Sequence, residues 1–174
     1  MATGIPLYES PQDFDHLLDP VSGYDGMHDL QYKAAPAEDE VFNRGSLISL
    51  DADGNFEAGL GGSGANRMPL WAINASYDLD VKSDSGNISG GVVAAYPATG
   101  GFELVSTEFD TTGTYAPNDP LIDDDSVATG AMKLGTKPYA ASETIVGIVS
   151  KGVFTETYNQ TVIQFWPVCL PARA

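Results

Sequence analysis

The sequence is poor in the residues that most chemistry and many partners require. Against 24 acidic residues it has eight basic ones, with two histidines and one cysteine, for a net charge of −16 over 174 residues. Nucleic-acid binding needs clustered Lys and Arg to displace counterions, so nucleic acid is not expected as a partner. An anionic membrane is disfavoured on the same ground, and no apolar run approaches the roughly 18 residues that read as a spanning helix. Met1 to Ser10 has neither the basic region nor the apolar core of a signal peptide. The lone cysteine, Cys169, has no partner within the chain and lies in an apolar run, so it is expected as a small buried hydrophobe. With His16 and His28 far from it in sequence, zinc is not expected. The N-x-[ST] triplets at Asn74, Asn87 and Asn159 carry no meaning without a secretory route.

What remains is an apolar, glycine-rich chain. Hydrophobic residues make up 43 %, enough for a real core, so this is not a disordered acidic tail. The length suits one domain. A basic protein surface or a divalent cation fits the charge better than any polyanion does.

The chain divides near residue 40. Residues 1–40 hold nine acids and one base, Lys33, which is half the net charge, together with both histidines and Pro6, Pro11, Pro20 and Pro36. Pro11 at the first helical position suggests one short helix ending at Leu18; the rest reads as an extended arm. Isolated large hydrophobes are scattered along it: Ile5, Leu7, Tyr8, Phe14, Leu17, Leu18, Tyr24, Leu30 and Tyr32. A solvated tail has no use for them. Either they drop one by one into pockets on another protein, or the segment packs on its own domain.

Residues 41–174 read as strands. Trp71, Ile73, Ala75, Tyr77, Leu79 and Val81 alternate with Ala72, Asn74, Ser76, Asp78, Asp80 and Lys82, a period of two that predicts one long strand from Leu70 to Lys82 with an apolar and a polar face. Further strands are expected at Gly45–Leu50, Gly91–Tyr96, Phe102–Phe109, Ile145–Val149, Val153–Tyr158 and Val162–Leu170, each bounded by turn residues. The fold class is therefore all-β, a single β-barrel or β-sandwich body (41–174) behind an extended N-terminal arm (1–40).

Several stretches imitate functional motifs. Asp51-Ala52-Asp53-Gly54-Asn55 alternates oxygen ligands as a calcium loop does. Its glycine, however, stands at position four, Gly62 occupies the twelfth position where a bidentate Glu is needed, and its flanks are strands, so a hairpin turn is the better reading. Asp123-Asp124-Asp125 is a second weak cation candidate; three adjacent carboxylates require solvent, a cation or a basic partner, and an exposed loop is expected. Gly59-Leu60-Gly61-Gly62-Ser63-Gly64 spells G-x-G-x-x-G, but Pro69 follows where a dinucleotide site needs a helix. No G-x-S-x-G elbow is present, and nothing singles out a carboxylate pair for glycoside hydrolysis. Neither a catalytic activity nor a cofactor is expected.

Three passages resemble a known family. Tyr115-Ala116-Pro117-Asn118-Asp119-Pro120-Leu121-Ile122, then Ser142-Glu143-Thr144-Ile145-Val146-Gly147-Ile148-Val149-Ser150-Lys151-Gly152, then Val162-Ile163-Gln164-Phe165-Trp166-Pro167-Val168-Cys169-Leu170-Pro171, resemble the C-terminal half of the decoration (cement) proteins of tailed-phage heads. Gly45-Ser46-Leu47-Ile48-Ser49-Leu50-Asp51-Ala52-Asp53-Gly54 resembles the start of the same body. The likeness spans about 60 % of residues 41–174 and none of the arm. It implies a virion protein, made in the host cytoplasm and placed on the outer capsid surface, that binds the major capsid protein and itself as a trimer or dimer and has no catalytic residues. Trp166 is the side chain expected at the core or at a capsid or subunit contact, the core being preferred. Two alternatives belong to other classes: a carbohydrate- or receptor-binding fibre module using Tyr96, Tyr115 and Tyr139, and a calcium-dependent β-domain.

Overall fold

Short apolar runs between turn residues form antiparallel strands here because each turn is closed by its own side chains and backbone. The β3–β4 hairpin is an example: the Asp51 carboxylate accepts hydrogen bonds from the amides of Asp53 (2.9 Å) and Asn55 (2.8 Å), and Gly54 takes the left-handed φ of 85° that the turn requires. The computed structural model describes residues 18–22, 32–37, 40–61, 67–73, 75–76, 93–98, 101–126, 130–136, 142–156 and 159–172. They form β1 (Leu18–Ser22), β2 (Tyr32–Ala34), β3 (Leu47–Leu50), β4 (Phe56–Ala58), β5 (Leu70–Ala72), β6 (Val93–Pro97), β7 (Glu103–Ser106), β8 (Pro120–Asp123), β9 (Met132–Leu134), β10 (Ile145–Thr155) and β11 (Thr161–Leu170), with no helix among the described residues.

The strands make two antiparallel sheets, one of six in the order β1-β7-β11-β10-β8-β9 and one of five in the order β2-β6-β5-β3-β4. Neither strand order closes on itself. Of the two architectures the sequence left open, the body is therefore a sandwich and not a closed barrel. The main core lies between the sheets. Leu47, Trp71 and Tyr96 from the five-stranded sheet meet Leu104, Leu121, Val149, Ile163 and Phe165 from the six-stranded one. The Trp71 and Phe165 rings stand 5.5 Å apart, and the Trp71 indole N–H points at the Met132 sulfur, 3.5 Å away. At one corner the backbone ties the sheets directly: the Leu47 amide donates to the Gly130 carbonyl (2.7 Å), while the Leu47 carbonyl accepts from the Gly59 amide at the end of its own hairpin (2.8 Å). Gly130 has φ +72°, and a Cβ there would collide with the Leu47 carbonyl oxygen, so only glycine fits.

The five-stranded sheet also buries its other face. Ile48, Phe56, Leu70, Ala72, Val93 and Ala95 pack with Phe42 into a second cluster, all at 0 % exposure. This corrects the long strand expected at Leu70–Lys82. β5 stops at Ala72, Ile73 is in a bend and Ser76 in a turn, while Asn74 and residues 77–82 lie outside the described residues. Ala72 and Ser76, assigned to a wet face by their alternation, are fully buried. The Ser76 hydroxyl accepts from the Phe42 amide (3.0 Å), and the Ser76 amide donates to the Phe42 carbonyl (3.0 Å), which satisfies the polar groups that burial would otherwise leave unpaired.

Two expected strands, Ile145–Val149 and Val153–Tyr158, are one. Val149 faces Phe165 and Val153 faces Ile163, so four steps along β10 match two along β11, and Ser150-Lys151-Gly152 is absorbed as a bulge instead of a turn. Tyr158 lies outside the described residues. Pro167 is tolerated in β11 because β7 pairs only with Ile163, Gln164 and Phe165; at Pro167 the missing N–H faces no ladder on that side.

Within residues 1–40, the two described strands belong to the sheets. β1 is an edge of the six-stranded sheet, with Leu18 paired to Ser106, and β2 is an edge of the five-stranded sheet, with Tyr32 paired to Ala95. These two strands pack on the chain's own body; residues 1–17 and 23–31, with most of the scattered hydrophobes, lie outside the described residues. Leu18 opens a strand and does not end a helix; the expected helix before it lies outside the described residues.

Candidate functional site

The acidic loops come first, because they were the weak cation candidates. The Asp51 carboxylate is turned into its own hairpin, and the hydrogen bond from Asn55, with that from Asp53, holds its pKa below the usual carboxylate range against a smaller opposing effect of burial. Asp53 is exposed, and Asn55 is half-buried. The Asp51 hydrogen bonds to the Asp53 and Asn55 amides have the Asx geometry of a turn.

Asp123, Asp124 and Asp125 were expected in an exposed loop. Asp123 instead ends β8 and reaches across to the other sheet, where Oδ2 accepts from the Leu60 amide (2.7 Å) and packs against Gly59. Burial pushes its pKa up, and the Leu60 hydrogen bond only partly offsets this. Asp124 is nearly buried. Burial by itself would raise its pKa too, but hydrogen bonds from the Ser126 hydroxyl (2.7 Å) and Lys133 (3.1 Å) outweigh it and leave the carboxyl below its usual value. Asp125 is exposed and held low by its hydrogen bond from Lys133 at 2.8 Å. The three adjacent acids thus part company because the strand ends between them, and the basic partner they needed is Lys133 in the neighbouring strand β9. Among the described residues, no group of three or more His, Cys, Asp or Glu side chains is arranged to hold a metal ion.

The residues of the quoted motifs have structural work. In Tyr115-x-x-Asn118-Asp119-x-Leu121, the Tyr115 hydroxyl donates to the Asp110 carbonyl (2.6 Å) and its ring meets Phe109 edge-on at 5.5 Å. Burial, with Asp110 and Asp124 nearby, pushes that phenol up to about 12. Asn118 takes a left-handed φ of 73°, Asp119 Oδ2 accepts from the Ala116 amide (2.7 Å), and Leu121 is fully buried. Glu143 closes the next loop by accepting from the amide and hydroxyl of Thr136. A ring of polar contacts that the sequence did not flag joins the sheets near β3: Ser106 Oγ donates to the Gly45 carbonyl, and Glu108, nearly buried, accepts from Asn43 Nδ2 and Thr107 Oγ1. Their only advance signal was polar residues at the end of an apolar run.

The end of β11 departs from expectation twice. Phe165 is in the core, and Trp166, for which the core was preferred, points to the opposite face at 39 % exposure. Cys169, expected buried, is exposed. The causes differ: Trp166 is outward because β11 alternates and Ile163 and Phe165 commit its inner face, whereas Cys169 lies past the stretch that β7 pairs, where less of the strand is covered. Around Trp166, the register puts Ile148 directly opposite on β10 and Pro120 beyond it on β8. Leu170 is also exposed.

Of the other candidates for partner binding, Leu18 is buried in the main core and Tyr32 is 45 % exposed on the edge strand β2. Ile5, Leu7, Tyr8, Phe14, Leu17, Tyr24 and Leu30 lie outside the described residues. The aromatics considered for a sugar platform do not make one: Tyr96 and Tyr115 are buried, and Tyr139 lies outside the described residues. The G-x-G-x-x-G stretch is a turn through Gly61 and carries no described helix; residues 62–66 lie outside. Compared with protein-family models, with curated proteins and with solved structures, the chain matches none.

Proposed function

We propose that this chain is a structural virion protein that binds the outer surface of a tailed-phage capsid and stabilises the shell, as decoration proteins do. The observation that carries the reading is an acidic two-sheet body that commits its motif residues to turns and core and leaves one of its two tryptophans, Trp166, outside on a sheet face. The resemblance of residues 45–54, 115–122, 142–152 and 162–171 to decoration proteins supports it. So does the physical demand on a clamp across subunit boundaries, which is rigid buried area without chemistry, multiplied by many copies on one lattice. The partners on this reading are the major capsid protein and further copies of the chain, in a trimer or dimer. No enzymatic step and no cofactor enters it.

The test is co-sedimentation of the full-length chain with purified empty heads assembled from the major capsid protein encoded beside its gene. Saturable binding at a fixed ratio to coat subunits, with a raised melting temperature of the heads, is expected. A chain that stays in the supernatant at all concentrations sinks the reading.

A further inference from the structure

We infer that the outward face of the six-stranded sheet, centred on Trp166, docks on a basic protein surface. The inference rests on the capsid reading and deepens it by naming the face and the character of the surface it meets.

The centre of this face is apolar. Trp166 and Ile148 are opposite one another on β11 and β10, and Ile122 lies on the same side of β8, facing Lys133 of β9. An exposed indole on a flat ladder is the kind of side chain that dominates interface energies once water is excluded around it.

The rim is acidic. On the β7 side, Glu103 receives a hydrogen bond from Gln164, the neighbour of Trp166. On the far side, Glu143 lies close to the space that a Cβ at Gly135 would share with Ile122. Asp125 reaches Lys133 with its side chain 79 % exposed. Lys133, the base this row presents, is already engaged by Asp124 and Asp125. An apolar centre within such a rim is complementary to an apolar patch bordered by Lys and Arg. It is poorly matched to itself. An isologous contact between two copies would bring these carboxylates together, between chains that each carry a net charge of −16.

The experiment compares the wild-type chain with Trp166→Ser and Asp125→Lys in titrations against the same empty heads, at about 50 mM and about 200 mM salt. Trp166→Ser is expected to melt where the wild type does and to bind about tenfold or more weakly. Asp125→Lys is expected to weaken binding several-fold, and raised salt to weaken the wild type. Wild-type binding that survives Trp166→Ser within about twofold, or that strengthens with salt, overturns the inference and leaves the capsid reading standing. If Trp166→Ser does not fold, unchanged affinity of Asp125→Lys overturns it. A Trp166 variant that binds heads normally but loses self-association in sedimentation velocity assigns the face to a second copy, which also overturns it. Absence of any wild-type binding removes the capsid reading and this inference together.

Discussion

The five-stranded sheet packs an apolar cluster on each face, whereas the six-stranded sheet packs one cluster toward its partner sheet and, on its other face, buries Val105 and Val162 but leaves Trp166 exposed. In the first, Leu47 and Trp71 look into the main core while their chain neighbours Ile48 and Leu70 are at 0 % exposure in the second cluster. In the second, Phe165 is in the core and its neighbour Trp166 is not. The same period of two thus has different consequences in the two sheets. Doubly covered strands carry apolar residues at consecutive positions, as in Leu70-Trp71-Ala72.

Four stability variants, and two more read as a function of pH, test that contrast. The largest loss is expected from Trp71→Ala, about 3–5 kcal/mol of unfolding free energy by denaturant titration, because it empties the space between the sheets beside Phe165. Phe56→Ala, on the second face, is expected to fall in the same range of about 3–5 kcal/mol. A loss below about 1 kcal/mol there would show that the second cluster packs loosely and that the five-stranded sheet is effectively one-sided. Tyr115→Phe removes the hydrogen bond to the Asp110 carbonyl and should cost about 1 kcal/mol, read as a lowered denaturation midpoint at unchanged slope. Trp166→Ser should change stability by no more than about 0.5–1 kcal/mol, since its side chain is not core. A loss like that of Trp71→Ala would place Trp166 under cover and erase the difference between the sheets.

The smallest effect is that of pH on the strap between the sheets. Burial raises the pKa of Asp123 in the folded chain. The folded state therefore holds this proton more tightly than the unfolded state. That contribution to stability is complete below the unfolded carboxylate value and is lost as pH rises through the raised one. Asp123→Asn keeps an oxygen to accept from Leu60 and has no proton to lose. Its melting temperature is expected to gain on the wild type between about pH 4 and pH 7. Asp124 and Asp125 have the opposite sign: both are held low, Asp125 by Lys133, so Lys133→Met should weaken the chain more at neutral pH than at a pH below both lowered values, where the two carboxylates are protonated.

Much of the fold was legible in advance, for reasons that can be named. β3 and β7 fall inside expected strands, and β6 and β11 exceed theirs by one residue, because runs of β-formers between Gly, Asn, Asp and Pro leave little alternative. β8, β9, β1 and β2 were not flagged. Three to five residues carry too little periodicity, and β8 opens on a proline, which is allowed only because it is the first residue of the strand. The 70–82 alternation misled because regular spacing says that two faces exist and not how far the chain stays straight or whether the second face is wet. The candidate surface was half legible. Trp166 stood out as a residue type, but its direction depends on which β11 side chains the opposite sheet accepts.

The amino-acid sequence by itself determined the class of this protein. Turn residues at close intervals exclude long helices, 24 acids against eight bases set the sign of its field, and the positions of Asp51, Gly54, Asn118 and Asp119 specify turns through local hydrogen bonds and φ values that need no distant partner. Tertiary structure decided everything that depends on what covers what. It joined Ile145–Thr155 into one bulged strand, buried Ser76 with Phe42, separated Asp123 from Asp124 and Asp125, and turned Trp166 outward. Burial is a property of pairs of surfaces far apart in the chain, and a single strand cannot express it until its neighbours are in place.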